Sequence, residues 1–412
     1  MLTRMPKTLK FLLTLTIAVY GFGDIIKRER SALREGPGPW YPMILELNEG
    51  TEVMTIENQG NWWFVEYEAR RGYVSQRAFK GKEKRTDVFS KMGMSSTGKS
   101  ISHAGVTAAV KGFAQRFSRH LNADYSQLDH FRNSLITPHS FQEFKNITVD
   151  LGSKPSLDRI FSLGSQESTK AFSFAEEGSG LAIALKLSSM GLLVDPEAIE
   201  YVNHVGILVA EQSHGFDIKF RFHIIDSPAI NGYACPGGII FITLGALEAM
   251  ESEAELACFL GHEIAHVSRL HGLEEMEYRK VQIKAGNAVD AMNQAFGEEQ
   301  IDQDILELEQ VAISSYERIF NGRLSEYEEE ADKLGLLYAA RAGYDPNSMI
   351  DFLNRLEITN ISHESDHYSV EENQIRIKRL KRMLAEQRWK NPLLFQNYSQ
   401  RFLKMSEAIN TE

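Results

Sequence analysis

The stretch on which the reading of this chain turns is Glu255 to Gly272, ELACFLGHEIAHVSRLHG. Leu256, Ala257, Cys258, Phe259, Leu260, Ile264, Ala265 and Val267 make it apolar nearly all round, so a helix here is buried rather than laid on a surface. His262 and His266 stand four residues apart and share one face of that helix, one turn above the other. Two neutral imidazole nitrogens in that position can take two corners of a tetrahedral zinc site. Glu263 follows the first histidine directly and projects beside such a metal, where it can accept a proton from water. Buried His and Glu side chains need a partner, and a metal ion fits this one.

A catalytic zinc needs a third protein ligand and an open position. Downstream, Glu326-Tyr-Glu328-Glu329-Glu330-Ala331-Asp332 opens a further helix on which Glu328 and Asp332 share a face. One of these carboxylates can ligate the metal while the other holds a ligand histidine by its second ring nitrogen. Ala331 lets another helix approach closely, and Glu326, Glu329 and Glu330 read as the solvated remainder.

Working outward, the block RFHIIDSPAINGYACPGGIIFIT over 221–243 holds two strand-like runs, Arg221–Ile225 and Gly238–Thr243, with a turn between them. Helical periods flank it at about 176–214, 244–272, 300–343, 346–356 and 371–386. Few strands among many helices make the fold class α+β. Residues 391–412 read as a C-terminal tail, and residues 81–175 as a polar helical connector with periods around Val106–Leu121 and Tyr125–Leu135. Gly98-Lys99-Ser100 lacks the spacing of a phosphate loop and reads as a solvated loop.

At the N-terminus, Arg4, Lys7 and Lys10 precede an apolar run from Phe11 to Val19, too short for a spanning helix of about 20 residues. Residues 1–23 fit a secretory signal peptide cut near Gly23, or an uncleaved N-terminal anchor. Over 36–80, short alternating segments are separated by the turns Asn48-Glu-Gly and Asn58-Gln-Gly. The order YPMILELNEGTEVMTIENQGNWWFVEYEARRGYVSQRAF resembles a bacterial SH3-like domain, a small β-barrel. The resemblance implies a module that binds peptides, cell wall or neighbouring domains. Alternation puts one of Trp62 and Trp63 in its core.

The His-Glu-x-x-His motif followed by Glu-x-x-x-Asp is similar to the M48 peptidase family, which includes the CaaX prenyl proteases and HtpX-type proteases. VDPEAIEYVNHVGILVAEQS, NGYACPGGIIFITLGALEAM, EYEEEADKLGLLYAARAGYDPNSM and RIKRL resemble further family segments in order and spacing. The resemblance covers about 176–385 and implies a mainly helical, gluzincin-type metallopeptidase domain with a small β-sheet over 176–390. It implies zinc, one per chain, on His262, His266 and Glu328, with Glu263 as base and Asp332 behind the ligands. Asn231, Pro236, Gly237 and Gly238 fall on the segment leading into a strand that pairs with substrate backbone, which puts an extended substrate beside Gly237–Thr243. The family's His-Pro pair is missing; His363 and His367 are the candidates for stabilising an oxyanion or capping the metal. His271 matches a recurrent family histidine and reads as belonging to the helix end.

The composition sets outer bounds on function. A net charge of −11 gives no basic surface for nucleic acid, so none is expected as a partner. Two cysteines, Cys235 and Cys258, exclude a disulfide scaffold, and their pairing is left open. No other apolar run approaches about 18 residues, so membrane association is expected only through the N-terminus. The expectation is an exported, periplasmic or envelope zinc metalloendopeptidase, with zinc-bound water activated by Glu263, hydrolysing unfolded or misassembled proteins. The alternative is a peptidase-like chaperone or assembly factor that binds proteins without cleaving them. The helical connector and an insertion over about 275–322 are both expected to shield the cleft.

Overall fold

The computed structural model describes residues 22–28, 31–80, 130–131, 133, 135–148, 174–271, 319, 325–359, 370–386 and 395–409. They fall into two compact units, residues 1–37 with 42–81 and residues 38–41 with 82–412. The expected periods around Val106–Leu121 and Tyr125–Leu135 fall largely outside the described residues, and the insertion almost wholly so.

In the smaller unit, alternating apolar and polar residues build an antiparallel sheet of β1 (Phe22–Ile25), β2 (Ser31–Arg34), β3 (Met43–Leu47), β4 (Glu52–Gln59), β5 (Trp62–Tyr67) and β6 (Arg70–Ser75). The strand order is β1-β4-β5-β6-β2-β3. In β4, Val53 and Thr55 are buried between exposed Glu52 and Met54, the period of two that a one-sided core demands. Ile26, Leu33, Leu47, Val53, Val65 and Val74 fill that core. Trp62 is buried, while Trp63 is half-buried against it, with its ring 6.3 Å from Phe79. The unit begins earlier than the expected 36: β1 and β2 are short and irregular in pattern, and β1 includes Gly23, where the expected cut falls.

The larger unit contains α1 (Pro138–Thr148), α2 (Phe174–Leu187), α3 (Pro196–Ala210), β7 (Arg221–Ile225), β8 (Gly232–Cys235), β9 (Ile239–Thr243), α4 (Leu244–Glu248), α5 (Glu253–Ser268), α6 (Ser325–Arg341), α7 (Ser348–Thr359), α8 (Val370–Glu386) and α9 (Ser399–Ile409). Asp195 caps α3 by accepting from the amides of Glu197 and Ala198, with Pro196 in the first turn where its missing N–H costs nothing. β7 pairs with β9 in parallel and β8 pairs with its other side antiparallel. β9 is therefore the central strand. This corrects the expected pairing of substrate beside Gly237–Thr243, because both edges of that strand are already taken. The turn expected between two strands contains the four-residue β8, whose Gly-Tyr-Ala-Cys has no alternation to announce it.

Helix α5 is the centre of the unit, and every residue from Glu253 to Ser268 is buried. Ser252 caps it, its hydroxyl accepting from the Glu255 amide at 3.2 Å. Helices α5 and α6 touch backbone to backbone. A Cβ on Gly261 would lie 2.7 Å from the Gly335 carbonyl oxygen, and one on Gly335 would lie 2.6 Å from the His262 nitrogen. Only glycine fits at that crossing. The closest approach is thus at Gly335, one turn beyond Ala331.

The first residue of α5, Glu253, is a fully buried carboxylate. It accepts from Tyr344 Oη at 2.7 Å and Arg401 Nε at 2.6 Å, and also from Tyr201 Oη and Arg401 Nη2. Within the expected C-terminal tail, residues 395–409 pack on this unit. Gln396 exchanges backbone hydrogen bonds with Gly343 and Asp345 at 3.1 Å, and α9 buries Phe402 and Met405. Among the described residues, no helix is long and apolar enough to cross a membrane.

Candidate metal centre

Burial of α5 all round places His262, Glu263 and His266 inside the unit, where each is 5% exposed or less. Helix α6 brings Glu328 against them. His262 Nε2 lies 3.1 Å from His266 Nε2 and 3.2 Å from Glu328 Oε2, and His266 Nε2 lies 3.4 Å from Glu328 Oε1. Three corners of a tetrahedron with bonds of about 2.0–2.1 Å are about 3.3 Å apart, so the donor set matches a zinc site in size. Among the described residues His262, His266 and Glu328 are the group that could hold a metal ion.

The charges make the same case. His262 Nδ1 lies 2.9 Å from Asp332 Oδ1, so its proton sits there and its Nε2 lone pair is left facing Glu328 and a second imidazole nitrogen. Lone pairs and a carboxylate converging on one buried point need a cation between them. Burial opposes charge on His262, yet the hydrogen bonds and charges of Asp332 and Glu328 outweigh it and push its pKa up to about 10. Burial likewise works against ionisation of Glu328, and the two histidines hold its pKa well below the usual value all the same. A metal ion supplies this positive charge without a proton.

Asp332 is set in turn by α8. Arg376 donates to it through Nε at 3.0 Å and Nη2 at 2.7 Å, both side chains buried. Against burial, the Arg376 charge and the His262 hydrogen bond hold its pKa at about 2. His266 is backed differently. Its Nδ1 lies 2.9 Å from Nδ1 of His271, whose Nε2 lies 3.1 Å from Glu330 Oε2. Glu330 Oε1 accepts from Arg269 Nε at 2.8 Å. The His271 hydrogen bond first, then the Arg269 charge against burial, bring the pKa of Glu330 to about 2. Two expectations change here: His271 is fully buried beside the ligands, and Glu330 is no solvated bystander. Glu329 pairs with Lys333 at 2.5 Å and Arg379 at 3.4 Å, while Glu326 is exposed.

Strand β8 closes on the centre at Gly232. A Cβ there would sit 2.5 Å from Glu263 Oε1 and 2.9 Å from Phe259 Cε1, so the missing side chain makes the space that Glu263 occupies. Sequence reasoning passed over Gly232, although it follows directly on Asn231. Asn231 is buried and shapes the strand start: its Oδ1 accepts from the Gly232 amide at 2.9 Å, and its own amide donates to Thr243 Oγ1 at 2.9 Å. Pro236, Gly237 and Gly238 form the turn from β8 to β9, with φ of 86° and 87° at the glycines. Like Asn231 they lie at an end of β8, which is an edge strand of the three-stranded sheet. His363 and His367 lie outside the described residues. Cys235 and Cys258 are both free and buried, so they do not pair.

Two histidines one helical turn apart, a glutamate from a facing helix and a second glutamate beside the first histidine define a metal centre of the metallopeptidase class. Residues 199–395 match the family model described as Peptidase family M48, and the chain carries a domain of that family. The Vibrio cholerae protein named putative beta-barrel assembly-enhancing protease is 30% identical over 162 residues, 39% of this chain and 33% of its own. The Escherichia coli beta-barrel assembly-enhancing protease is 27% identical over 173 residues, 41% of this chain and 34% of its own. The human mitochondrial metalloendopeptidase OMA1 is 32% identical over 149 residues, 35% of this chain and 28% of its own. The chain thus spans about a third of the length of the curated relatives it matches.

Proposed function

We propose that this chain is a zinc metalloendopeptidase that hydrolyses unfolded or misassembled proteins of the bacterial cell envelope. The observation that carries the reading is the buried carboxylate of Glu263, adjoining a ligand set of zinc dimensions and given room by Gly232. Zinc on His262, His266 and Glu328 would polarise the scissile carbonyl and acidify water. Glu263 takes the proton of the attacking water and returns it to the leaving amine. Asp332, itself gripped by Arg376, holds His262 with its Nε2 lone pair free for the metal.

Because His262, Glu263 and His266 are nearly inaccessible, a peptide bond reaches the centre only in an extended strand, which favours unfolded chains over folded surfaces. The assembly of β-barrels in the names of the bacterial relatives and the basic-then-apolar N-terminus support an envelope location. The small β unit is proposed as an SH3-like recognition module for peptide or cell wall.

The test is cleavage of casein, an unfolded protein, by the full chain beside Glu263→Gln, each with and without a zinc chelator. Cleavage abolished by both changes supports the reading. A wild-type chain that holds zinc and cuts nothing refutes it and favours a binding protein.

A further inference from the structure

We propose that His271 and Glu330 act in series as positioning residues for His266, and that this series sets how tightly the centre holds zinc. The inference rests on the zinc reading above and extends it to two residues outside the ligand set.

Proton placement decides the roles. His266 Nε2 faces Glu328 and His262, so a metal there takes its lone pair and the ring proton must sit on Nδ1. That Nδ1 is 2.9 Å from His271 Nδ1, and two nitrogens at this separation share a single hydrogen. His271 therefore accepts at Nδ1 and carries its own proton on Nε2, which donates to Glu330 Oε2 at 3.1 Å. Glu330 is kept in place from its other oxygen by Arg269. Each link fixes the tautomer of the next, so the orientation of His266 is decided two residues away from the metal. The His271 ring is itself immobilised: it is fully buried and packs at 4.7 Å on Tyr327.

The two ligand histidines are consequently backed by unequal partners. His262 donates directly to a carboxylate, a charge-assisted bond of roughly twice the strength of a neutral one, whereas His266 donates to a neutral imidazole polarised by a carboxylate behind it. Removing the imidazole takes away the acceptor that orients the Nδ1–H of His266.

The test measures zinc affinity by competition with a chromophoric chelator on the full chain, with the visible spectrum of the cobalt-substituted protein and the melting temperature of the metal-free form. Variants are His271→Leu, His271→Asn and Glu330→Gln. His271→Leu is expected to weaken zinc by about 10- to 100-fold and shift the cobalt bands. His271→Asn keeps an acceptor oxygen near the Nδ1 position and should recover most of that loss. Glu330→Gln, at a partly exposed side chain, should lose about 3- to 10-fold.

Zinc affinity within about twofold of wild type in both the His271→Leu and the Glu330→Gln chains, with unchanged cobalt bands, would overturn the proposal. So would a metal-free melting temperature that falls in His271→Leu and explains the whole loss, with no rescue by His271→Asn. If His271→Leu does not fold, Glu330→Gln alone decides. A wild-type chain that binds no zinc would instead strike down the metal reading beneath it.

Discussion

The tightest contact at the centre is also the most informative to perturb. Gly232→Ala places a methyl carbon 2.5 Å from Glu263 Oε1 and 2.8 Å from its Cδ. Ordinary contact begins near 3.4 Å, so the carboxylate must retreat by about 0.9 Å. The fold can accept this, because the displaced atoms are the end of a flexible side chain and the Phe259 edge. The chemistry cannot: misplacing a reacting group by about 1 Å costs about 100-fold, or about 2.7 kcal/mol of barrier. We expect kcat on an unfolded substrate to fall by about 100-fold while zinc content stays at wild-type level and KM changes little. Steady-state kinetics beside metal analysis would read this. In a Glu263→Gln background the same alanine should cost nothing further, since the group it displaces is already inert. A Gly232→Ala chain with kcat within about threefold of wild type would refute the assignment of Glu263 as the base, and one that loses its zinc would show the damage to lie in the ligands.

Three further outcomes follow from the packing. Gly335→Ala drives a Cβ into the His262 backbone, so α5 and α6 must part; a loss of at least about 1–3 kcal/mol in urea unfolding and weaker zinc binding are expected together. Arg401→Met leaves Glu253 fully buried without a countercharge and should cost about 3 kcal/mol by the same assay, partly restored by adding Glu253→Gln. His223 lies in the core beside Phe131 and Phe241, and burial first, then the charges of His130 and Arg221, keep it neutral well below the usual histidine range. As pH falls below about 6.5 the unfolded chain takes up a proton that the folded one refuses, so stability should drop by up to about 1.4 kcal/mol per pH unit. His223→Phe should flatten that slope in chemical unfolding measured from pH 7 down to pH 5, and an unchanged slope would refute the assignment.

What was legible in the sequence is what local spacing encodes. The histidines four apart, the carboxylates four apart and the alternation of β4 depend on helix and strand periods alone, and each lies where those periods put it. The strands Arg221–Ile225 and Ile239–Thr243 were readable because both are buried runs of β-branched and aromatic residues. The errors arise where a residue's meaning depends on a distant partner. β8 is four residues without alternation and exists only through its pairing with β9. The C-terminal segment looks like a polar tail until Arg401 meets Glu253 across the fold. Glu330 resembles its solvated neighbours because nothing within its own helix distinguishes it; His271, on another element, does.

Helix α6 therefore matters beyond supplying one ligand. Glu328, Glu330 and Asp332 all belong to it, and they serve respectively the metal position, the support of His266 and the support of His262. Helix α5 carries two imidazoles whose orientations are fixed from α6, across a crossing where Gly261 and Gly335 bring the backbones together. The histidine spacing alone would allow a range of ring rotations; docking of α6 selects the one with both Nε2 lone pairs converging. Metal affinity and the free energy of docking α6 on α5 are consequently one linked quantity. Zinc should stabilise that crossing more than any other part of the unit. Hydrogen exchange would register the difference as slowed amide exchange along α5 and α6, with little change in the β unit. Equal slowing across both units would contradict the linkage, because the small sheet has its own core of Leu33, Val53, Val65 and Val74, and the ligand set His262, His266 and Glu328 lies in the larger unit.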